Sequence, residues 1–415
     1  MSFPARLEIP EEVIRIARKL ERAGFETWCV GGAIRDNLLE HANKDFDLAT
    51  AATPPQVRKL FKRTVPIGIE HGTVAVLDRN RQPHEVTTFR RDVKTDGRHA
   101  MVEFGVSLEQ DLARRDFTIN AIAYHPLSHE WRDPFDGAAD LDAGLIRAVG
   151  EPADRFREDY LRILRALRFA AKFGFEIEQD TRDAAAAAVL GLRGLSAERV
   201  REEWFRGLAG AQNPSAFVLL WEKMGALMVW LPELCGGEDL TDEQRTVVDR
   251  LGGSDAVLAT AYLSSDPEAT LTRLKCSNAE LERGRAIGRF RYSLPDPGSA
   301  VDVRRWMSQV GDALDDLVAL SVSAEGGDEL RNAVDRVRAS GAPLTVRDLA
   351  VSGLDLVASG IREGPAVGRV LRQLLSEAIE DPTINTSDVL LKRARDLAAP
   401  APGLPVTGAE GRDGE

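Results

Sequence analysis

The stretch over residues 28–39 constrains the fold of this chain more than any other part of the sequence. It begins with the apolar run Trp28–Val30, which is typical of a buried strand. Gly31 and Gly32 follow, and the next residues have the apolar spacing of a helix. A strand that ends at glycines and leads into a helix directs free backbone N–H groups at one point, which suits a phosphate. Arg35, on the first turn of that helix, would add guanidinium donors for phosphate oxygens.

Two aspartates, Asp45 and Asp47, come next in the sequence and predict a metal site. Alternate residues of a strand face the same side, so both carboxylates would share one face and Phe46 would face the other. Adjacent carboxylates repel each other unless a cation lies between them, and hard oxygen ligands that leave room for phosphate suit Mg²⁺. Each pattern alone has a simpler interpretation, since a glycine pair is often only a turn and an Asp-x-Asp pair only a solvated strand edge.

The composition is that of an ordinary globular protein, with 43% hydrophobic and 29% charged residues in 415. No apolar run approaches the ~20 residues that cross a bilayer, and the first residues do not resemble a signal peptide. The three cysteines show no metal-binding spacing, which predicts a cytoplasmic protein. The net charge of −12 comes mostly from the second half, so the near-neutral first half is the better candidate for contacts with a polynucleotide.

A second pair of β-rich runs, at residues 73–77 and 84–89, predicts a hairpin beside the strand of Asp47. Glu85 begins the second run, and two interpretations of it stay open. It is either a third carboxylate of the metal site or an ordinary glutamate on an edge strand. Residues 90–101 are polar and contain a glycine, which predicts a mobile loop between two strands.

Arg115 and Asp116 lie in the string RRDFTINAIAY, which follows a predicted helix. An arginine can hold phosphate or ribose oxygens, and an aspartate can accept a hydrogen bond from a ribose hydroxyl. Together they would favour a ribonucleotide over a deoxyribonucleotide. The simpler interpretation is a helix-capping aspartate beside solvated arginines.

Residues 151–175 predict one amphipathic helix with leucines and alanines on one side. Asp159, Arg162, Arg165 and Arg168 recur every three residues and form a stripe that winds slowly around it. By composition alone this stripe is a solvated charged face.

The ordered strings GGxxRD, DxDLAT, RRDFTINAIAY and RFxEDxLRxLRAxRF resemble motifs of the class II tRNA nucleotidyltransferases, a family of CCA-adding enzymes and bacterial poly(A) polymerases. The resemblance implies an α+β fold, in which a polymerase-β-like nucleotidyltransferase head with a mixed β-sheet is followed by helical neck, body and tail domains. The implied segments are a head at 1–150, a neck at 151–237, a body at 238–300, a tail at 301–397 and a disordered C-terminus at 398–415.

The same resemblance implies roles for single residues. Asp45 and Asp47 would bind two Mg²⁺ ions and act in catalysis, with Glu85 as a possible third acid. The residues implied for nucleotide binding are Gly31, Gly32, Arg35, Arg115, Asp116, Glu158, Asp159, Arg162, Arg165 and Arg168.

The pair Asp159 and Arg162 would select the base without a nucleic-acid template. Cytosine and adenine both present a ring-nitrogen acceptor beside an exocyclic amino donor, which match an arginine and an aspartate. Uracil and guanine present a carbonyl and a ring N–H there, and each unpaired buried group costs about 1–3 kcal/mol.

The expected activity is therefore addition of CCA to the 3′ end of tRNA from CTP and ATP, with release of pyrophosphate. Two alternatives remain: a poly(A) polymerase or an enzyme that adds only A, and an inactive RNA-binding relative. The resemblance implies a basic C-terminal extension for the bacterial poly(A) polymerases, so the acidic C-terminus argues against that activity. The expected partner is tRNA, with no membrane and no protein partner implied.

Overall fold

A seven-stranded mixed sheet forms the framework of the N-terminal part of the chain, with the order β3-β4-β5-β2-β1-β8-β9. The structure is a computed structural model that describes residues 3–68, 72–95, 100–234, 240–324 and 327–398. Its strands are β1 Thr27–Val30, β2 Asp47–Thr50, β3 Thr64–Pro66, β4 Thr73–Leu77, β5 Pro83–Thr88, β6 Arg90–Thr95, β7 Ala100–Phe104, β8 Ala123–Tyr124, β9 Trp131–Arg132, β10 Leu145–Ile146 and β11 Glu176–Ile177.

The pairing around β2 fixes where the polar residues of the sheet lie. β2 is antiparallel to β1, with Val30 opposite Asp47, and parallel to β5, with Leu48 opposite Val86. The predicted hairpin of β4 and β5 is confirmed, as is its position beside β2. Leu48 and Val86 are buried at the centre of the sheet. β2 begins one residue before Leu48, at the polar residue Asp47, which is only partly buried.

Fifteen helices accompany and follow the sheet in the described residues before position 291. They are α1 Glu11–Arg22, α2 Gly32–Leu38, α3 Pro54–Leu60, α4 Leu108–Ala113, α5 Gly137–Ala143, α6 Pro152–Glu158, α7 Leu161–Phe173, α8 Gln179–Ala188, α9 Ala197–Gly210, α10 Pro214–Lys223, α11 Ala226–Trp230, α12 Asp242–Leu251, α13 Ala256–Leu263, α14 Pro267–Arg273 and α15 Asn278–Phe290.

Helix α7 links the sheet region to the helices that follow it. Nine of its residues have buried apolar side chains, and it packs against α9 and α10. Beyond it, Trp204 on α9 packs against Phe217 at a tilt and against Trp221 edge-on, both of α10, with ring centroids 5.4 and 4.8 Å away. Large aromatic side chains of this kind dominate the apolar area that a core buries. This packing holds the polar face of α7 beside the sheet region.

The C-terminal helices have a core of their own. They are α16 Ala300–Val310, α17 Leu314–Ser323, α18 Asp328–Ser340, α19 Gly353–Ala358, α20 Pro365–Glu380 and α21 Ser387–Ala398. Trp306 lies in a buried cluster and Phe290 packs against it, so both are core residues. Helix α16 ends at Val310, before Gly311, which has a φ of 55°.

Two further predicted elements differ from the structure. The predicted loop at 90–101 contains strands β6 and β7, which pair as an antiparallel ribbon; residues 96–99 lie outside the described part. The predicted single helix over 151–175 is two helices, α6 and α7, because Asp159 leaves the helical region with a φ of −155°. Its carboxylate accepts a hydrogen bond from the Leu161 backbone N–H at 3.1 Å, which is the competition with the helix backbone that aspartate favours.

The α+β class with a mixed sheet and a helical remainder is confirmed. The chain divides into two compact units, with the boundary between Gly284 and Arg285. The finer division into head, neck, body and tail stays a prediction, and residues 399–415 of the predicted disordered C-terminus lie outside the described residues. No helix in the described ranges has the length and apolar character needed to cross a membrane.

Candidate active site

Three carboxylates meet at the start of β2. Asp47 is the first residue of the strand, and the pairing of Leu48 with Val86 places it opposite Glu85 on β5. Asp45 lies just before the strand and is exposed. Burial, together with the nearby charges of Glu85 and Asp45, raises the pKa of Asp47 to about 6, while Arg115 opposes this shift. The three acids are therefore close enough to repel one another.

This donor set fits a hard divalent cation. Within the described residues, no group of three or more His, Cys, Asp or Glu side chains is arranged so that it could hold a metal ion by itself. An incomplete set of carboxylates is what Mg²⁺ uses when water and phosphate oxygens supply its other ligands. The raised pKa of Asp47 reflects first its burial and then its negative neighbours, and a bound cation would favour the charged form against both. Metal binding by Asp45 and Asp47 stays a prediction.

Gly31 forms the opposite wall of the same space. It precedes α2 with a φ of 80°, a conformation that glycine adopts without strain. A Cβ atom at Gly31 would lie 3.2 Å from Arg115 Nη1 and 3.9 Å from Asp47 Oδ2. The backbone of the predicted phosphate loop thus lies directly beside an arginine and a carboxylate, with no room for a side chain between them.

Arg115 is held in place by the residues around it. Its Nη2 donates to Asp111 Oδ2 at 3.2 Å and its Nη1 donates to the Asn120 carbonyl at 3.4 Å. Its Nε is buried and has no hydrogen-bond partner within the described residues. Buried donors are almost always paired in native proteins, so an unpaired donor beside a carboxylate cluster indicates a place for an anion.

The sequence predicts that Arg35 is available to bind phosphate, but in the structure its guanidinium group is bonded to other residues of the protein. Its Nε donates to Asp36 at 2.8 Å and its Nη1 donates to Asn120 at 2.6 Å. The guanidinium group also stacks between Phe169 and Phe173 of α7, 4.9 and 4.8 Å from the ring centroids. In this arrangement Arg35 joins α2 to α7, and a contact with phosphate stays a prediction.

Asn120 is the centre of a buried hydrogen-bonded chain. Its side-chain oxygen accepts from Arg35, and its side-chain amide donates to Asp116 Oδ1 at 2.9 Å. The other oxygen of Asp116 accepts from Arg165 Nε at 2.7 Å. Although burial alone would raise it, these contacts hold the pKa of Asp116 at about 2, with Arg165 as the largest stabilising contribution. Asp116 is therefore charged and fully engaged, and a ribose contact stays a prediction.

The predicted base-selecting residues lie where α6 ends and α7 begins. Asp159 Oδ2 accepts a hydrogen bond from Arg199 at 2.6 Å. Arg162, which is 9% exposed, donates to Glu158 Oε2 at 2.6 Å and to the Arg114 carbonyl at 3.0 Å. Asp159 and Arg162 are thus close in the chain but bonded to different partners. The hydrogen bond to the Arg114 carbonyl joins Arg162 to the segment that carries Arg115.

Arg165 and Arg168 are anchored within the protein. Arg168 Nε donates to Glu203 Oε2 at 2.6 Å, and its guanidinium group lies 4.3 Å from the ring centroid of Phe169. Arg165 bonds Asp116 and lies 3.7 Å from Glu203. The two arginines therefore connect α7 to α9 and to the Asp116 segment, and a direct contact with base or phosphate stays a prediction.

Sequence reasoning missed four residues that hold this site together: Asp111, Asn120, Arg199 and Glu203. Asn120 lies within the string RRDFTINAIAY, so the matched motif already contained it. Arg199 and Glu203 share the sequence SAERVREE, in which their spacing of four places both on one side of α9. Asp111 carries no such signal, because an aspartate in a short helix is normally exposed.

Comparison with known proteins identifies two family models on this chain. The Poly A polymerase head domain matches residues 27–147, which include the sheet and the carboxylates. The model described as a probable RNA and SrmB-binding site of polymerase A matches residues 174–236. The nucleotidyltransferase nature of the head is thereby confirmed.

The CCA-adding enzyme of Leuconostoc mesenteroides is 35% identical over 406 residues, which cover 94% of this chain and 98% of that protein. The crystal structure of the Bacillus stearothermophilus CCA-adding enzyme in complex with CTP has a TM-score of 0.76 and 30% identity, covering 93% of this chain and 98% of that one. A Thermotoga maritima CCA-adding enzyme complexed with tRNA shares the fold at a TM-score of 0.66 and 19% identity, covering 92% and 94%. The chain belongs to the family of CCA-adding enzymes.

Proposed function

We propose that this protein adds CCA to the 3′ end of tRNA from CTP and ATP without a nucleic-acid template. One observation carries the proposal. The carboxylates at the start of β2 face Gly31 and Arg115, and a continuous hydrogen-bonded chain runs from Arg115 through Asn120 and Asp116 to Arg165 on α7. The groups that would perform transfer are thereby joined to the helix pair that would select the base.

Asp45 and Asp47 are the residues that would hold Mg²⁺, and Glu85 lies on the neighbouring strand as a further acid. Two bound Mg²⁺ ions supply activation of the attacking hydroxyl and neutralisation of the charge on the leaving group. The terminal 3′ oxygen of the RNA forms a bond to the α-phosphorus, the bond from that phosphorus to the bridging oxygen breaks, and pyrophosphate leaves. The 3′ hydroxyl loses its proton as the new bond forms.

Arg115 and the backbone around Gly31 would orient the triphosphate. The Nη1 atom of Arg115 lies beside the space that Gly31 keeps open, where phosphate oxygens would accept hydrogen bonds from it. The Asp111 carboxylate and the Asn120 carbonyl fix the direction of this arginine before substrate arrives. Such positioning lowers the entropy that must be lost at the moment of reaction.

Asp159 and Arg162 would read the Watson–Crick edge of the incoming base. Asp159 would accept from the exocyclic amino group of cytosine or adenine, and Arg162 would donate to the ring nitrogen. Both residues hold protein partners in this structure, Arg199 and Glu158, so binding of a base exchanges these bonds for bonds to the base. The hydrogen-bond preference of the pair explains why both C and A would be accepted.

The relatives favour CCA addition over the two alternatives. The Leuconostoc mesenteroides protein is named a CCA-adding enzyme, and the Bacillus stearothermophilus structure holds CTP. A polymerase that adds only A would have no use for CTP. We place the reaction in the cytoplasm, where the thiols of the described cysteines, Cys29 and Cys276, would stay reduced.

A tRNA that lacks its CCA end tests the proposal with CTP alone, ATP alone and both nucleotides together. We expect addition of two residues with CTP alone and three with the mixture, after which extension stops. Long A tails from ATP alone would favour the poly(A) alternative. Binding of the tRNA without consumption of either nucleotide would favour the inactive relative.

A further inference from the structure

A group of exposed basic residues lies at the same end of the sheet as the carboxylates. Lys62 and Arg63 come just before β3, and Arg79 and Arg81 lie in the turn between β4 and β5. We call these four residues the basic edge. All four are exposed, and none forms an ion pair with another described residue. In a chain with a net charge of −12, four unpaired cations together are not explained by solubility.

The strand registers place the basic edge relative to the catalytic end of β2. Pairing of Leu48 with Val86 puts Asp47 level with Glu85, and Pro83, two residues before Glu85 on β5, pairs with Leu77. The Leu77 N–H donates to the Arg63 carbonyl at 3.0 Å, so Arg63 lies in the row of Pro83 and Leu77. Three strand spacings, about 14 Å, separate β2 from β3 in this sheet. The turn that carries Arg79 and Arg81 emerges from this same end.

The basic edge and the triphosphate loop lie on opposite sides of β2. Gly31 follows β1, which flanks β2 on one side, whereas β5, β4 and β3 extend from the other side. A triphosphate held at Gly31 therefore lies away from Arg63 and Arg79. The second substrate, the RNA whose 3′ end must reach the carboxylates, is the polyanion that would extend toward β3.

Two exposed apolar residues, one on β3 and one just after it, accompany the cations. Val65 is 41% exposed and lies in the row of Asp47, Glu85 and Ala75, which places these residues on one face of the sheet. Ile67, two residues further, is 47% exposed. β3 is an edge strand, so these side chains and the neighbouring cations form a surface open to a strand of RNA.

We propose that the basic edge binds the phosphate backbone of the tRNA near the 3′ end that is extended at Asp45 and Asp47. This inference rests on the proposed function and adds a direction to it, since the nucleotide enters from the β1 side and the RNA from the β3 side. Phosphate contacts of this kind give affinity and orientation without reading sequence.

Two paired neutralisations test the inference: Lys62→Gln with Arg63→Gln, and Arg79→Gln with Arg81→Gln. The dissociation constant of tRNA that lacks CCA is measured by fluorescence between 50 and 200 mM salt. Each lost phosphate contact lowers the slope of log Kd against log salt by about one. Each pair should therefore reduce the slope by about two, which makes the change in Kd over this range ~16-fold smaller. The KM for tRNA should rise, and the KM for CTP should not.

A matched control removes the same charge from the opposite end of the head. Arg18 and Arg22 lie on α1, which leads into β1 at Thr27, the residue opposite Thr50 at the far end of β2. Changing both to Gln should leave the slope as in the wild type. The inference is overturned if the basic-edge pairs keep the wild-type slope, or if the control pair loses as much. Because Kd is measured without transfer, absence of CCA addition by the wild type would instead refute the proposed function.

Discussion

Replacement of Asp47 by asparagine should stabilise the metal-free protein while it abolishes transfer. The pKa of this carboxyl is raised from 3.8 to about 6 by burial and by the charges of Glu85 and Asp45. The folded protein therefore binds this proton more tightly than the unfolded chain does, and the wild type loses stability as the pH rises from about 4 to 6. At 1.36 kcal/mol per pH unit, the loss above pH 7 is about 3 kcal/mol.

Asparagine has nearly the same shape and carries no charge, so Asp47→Asn avoids this loss. Urea unfolding of both proteins in EDTA, at pH 4.5 and pH 8, measures the difference in the free energy of unfolding. We expect it to be small at pH 4.5 and to approach ~3 kcal/mol in favour of the variant at pH 8. Added Mg²⁺ should stabilise the wild type and have little effect on the variant.

Asp183→Asn provides the matched control, since Asp183 is an exposed aspartate on α8. Removal of the Asp183 charge should change the free energy of unfolding by the same amount at pH 4.5 and at pH 8. The reasoning is refuted if Asp47→Asn gives no gain at pH 8, or if the gain is as large at pH 4.5. Either result would mean that the folded protein does not raise the pKa of Asp47.

Three other changes test separate parts of the account. Gly31→Ala forces a side chain into a φ of 80° and places its Cβ 3.2 Å from Arg115 Nη1, so the KM for CTP should rise in steady-state assays. Asn120→Ala removes the hydrogen bonds to Arg35 and Asp116. Because this displaces residues of the site, kcat/KM should fall by ~10²-fold. A lower melting temperature with an unchanged kcat/KM would contradict this expectation. Gly207→Ala meets the Phe217 ring at 2.0 Å and should destabilise the protein by about 1–3 kcal/mol in urea unfolding, while Gly210→Ala on the same helix, which meets nothing within 4 Å, should not.

The sequence predicts the backbone of the site better than the hydrogen bonds within it. Local patterns are enough to predict the β4–β5 hairpin and the glycine turn before α2, since each depends on periodicity or on a turn residue. The break at Asp159 was missed because the charged stripe continues through it at helical spacing. Its cause is a side chain that bonds the backbone locally, which periodicity does not register.

The positions of the arginines show where such reasoning stops. A guanidinium group in a motif suggests a phosphate, yet Arg35 and Arg168 bond Asn120 and Glu203, which lie 85 and 35 residues away in the chain. Only the fold brings these partners together. The basic edge is a further example, because its residues come from two separate connections that the register of β3, β4 and β5 aligns.

The most direct test of the central claim, that carboxylates and a base-selecting helix pair form one site, is the nucleotide preference of Asp159→Ala combined with Arg162→Ala. The relative kcat/KM for CTP, ATP, UTP and GTP is measured with tRNA that lacks CCA, beside Asp45→Ala as the transfer-deficient control. We expect the double variant to continue transfer but to lose its preference for C and A, while Asp45→Ala transfers nothing. Faithful CCA addition by the double variant, or transfer by Asp45→Ala, would contradict the account.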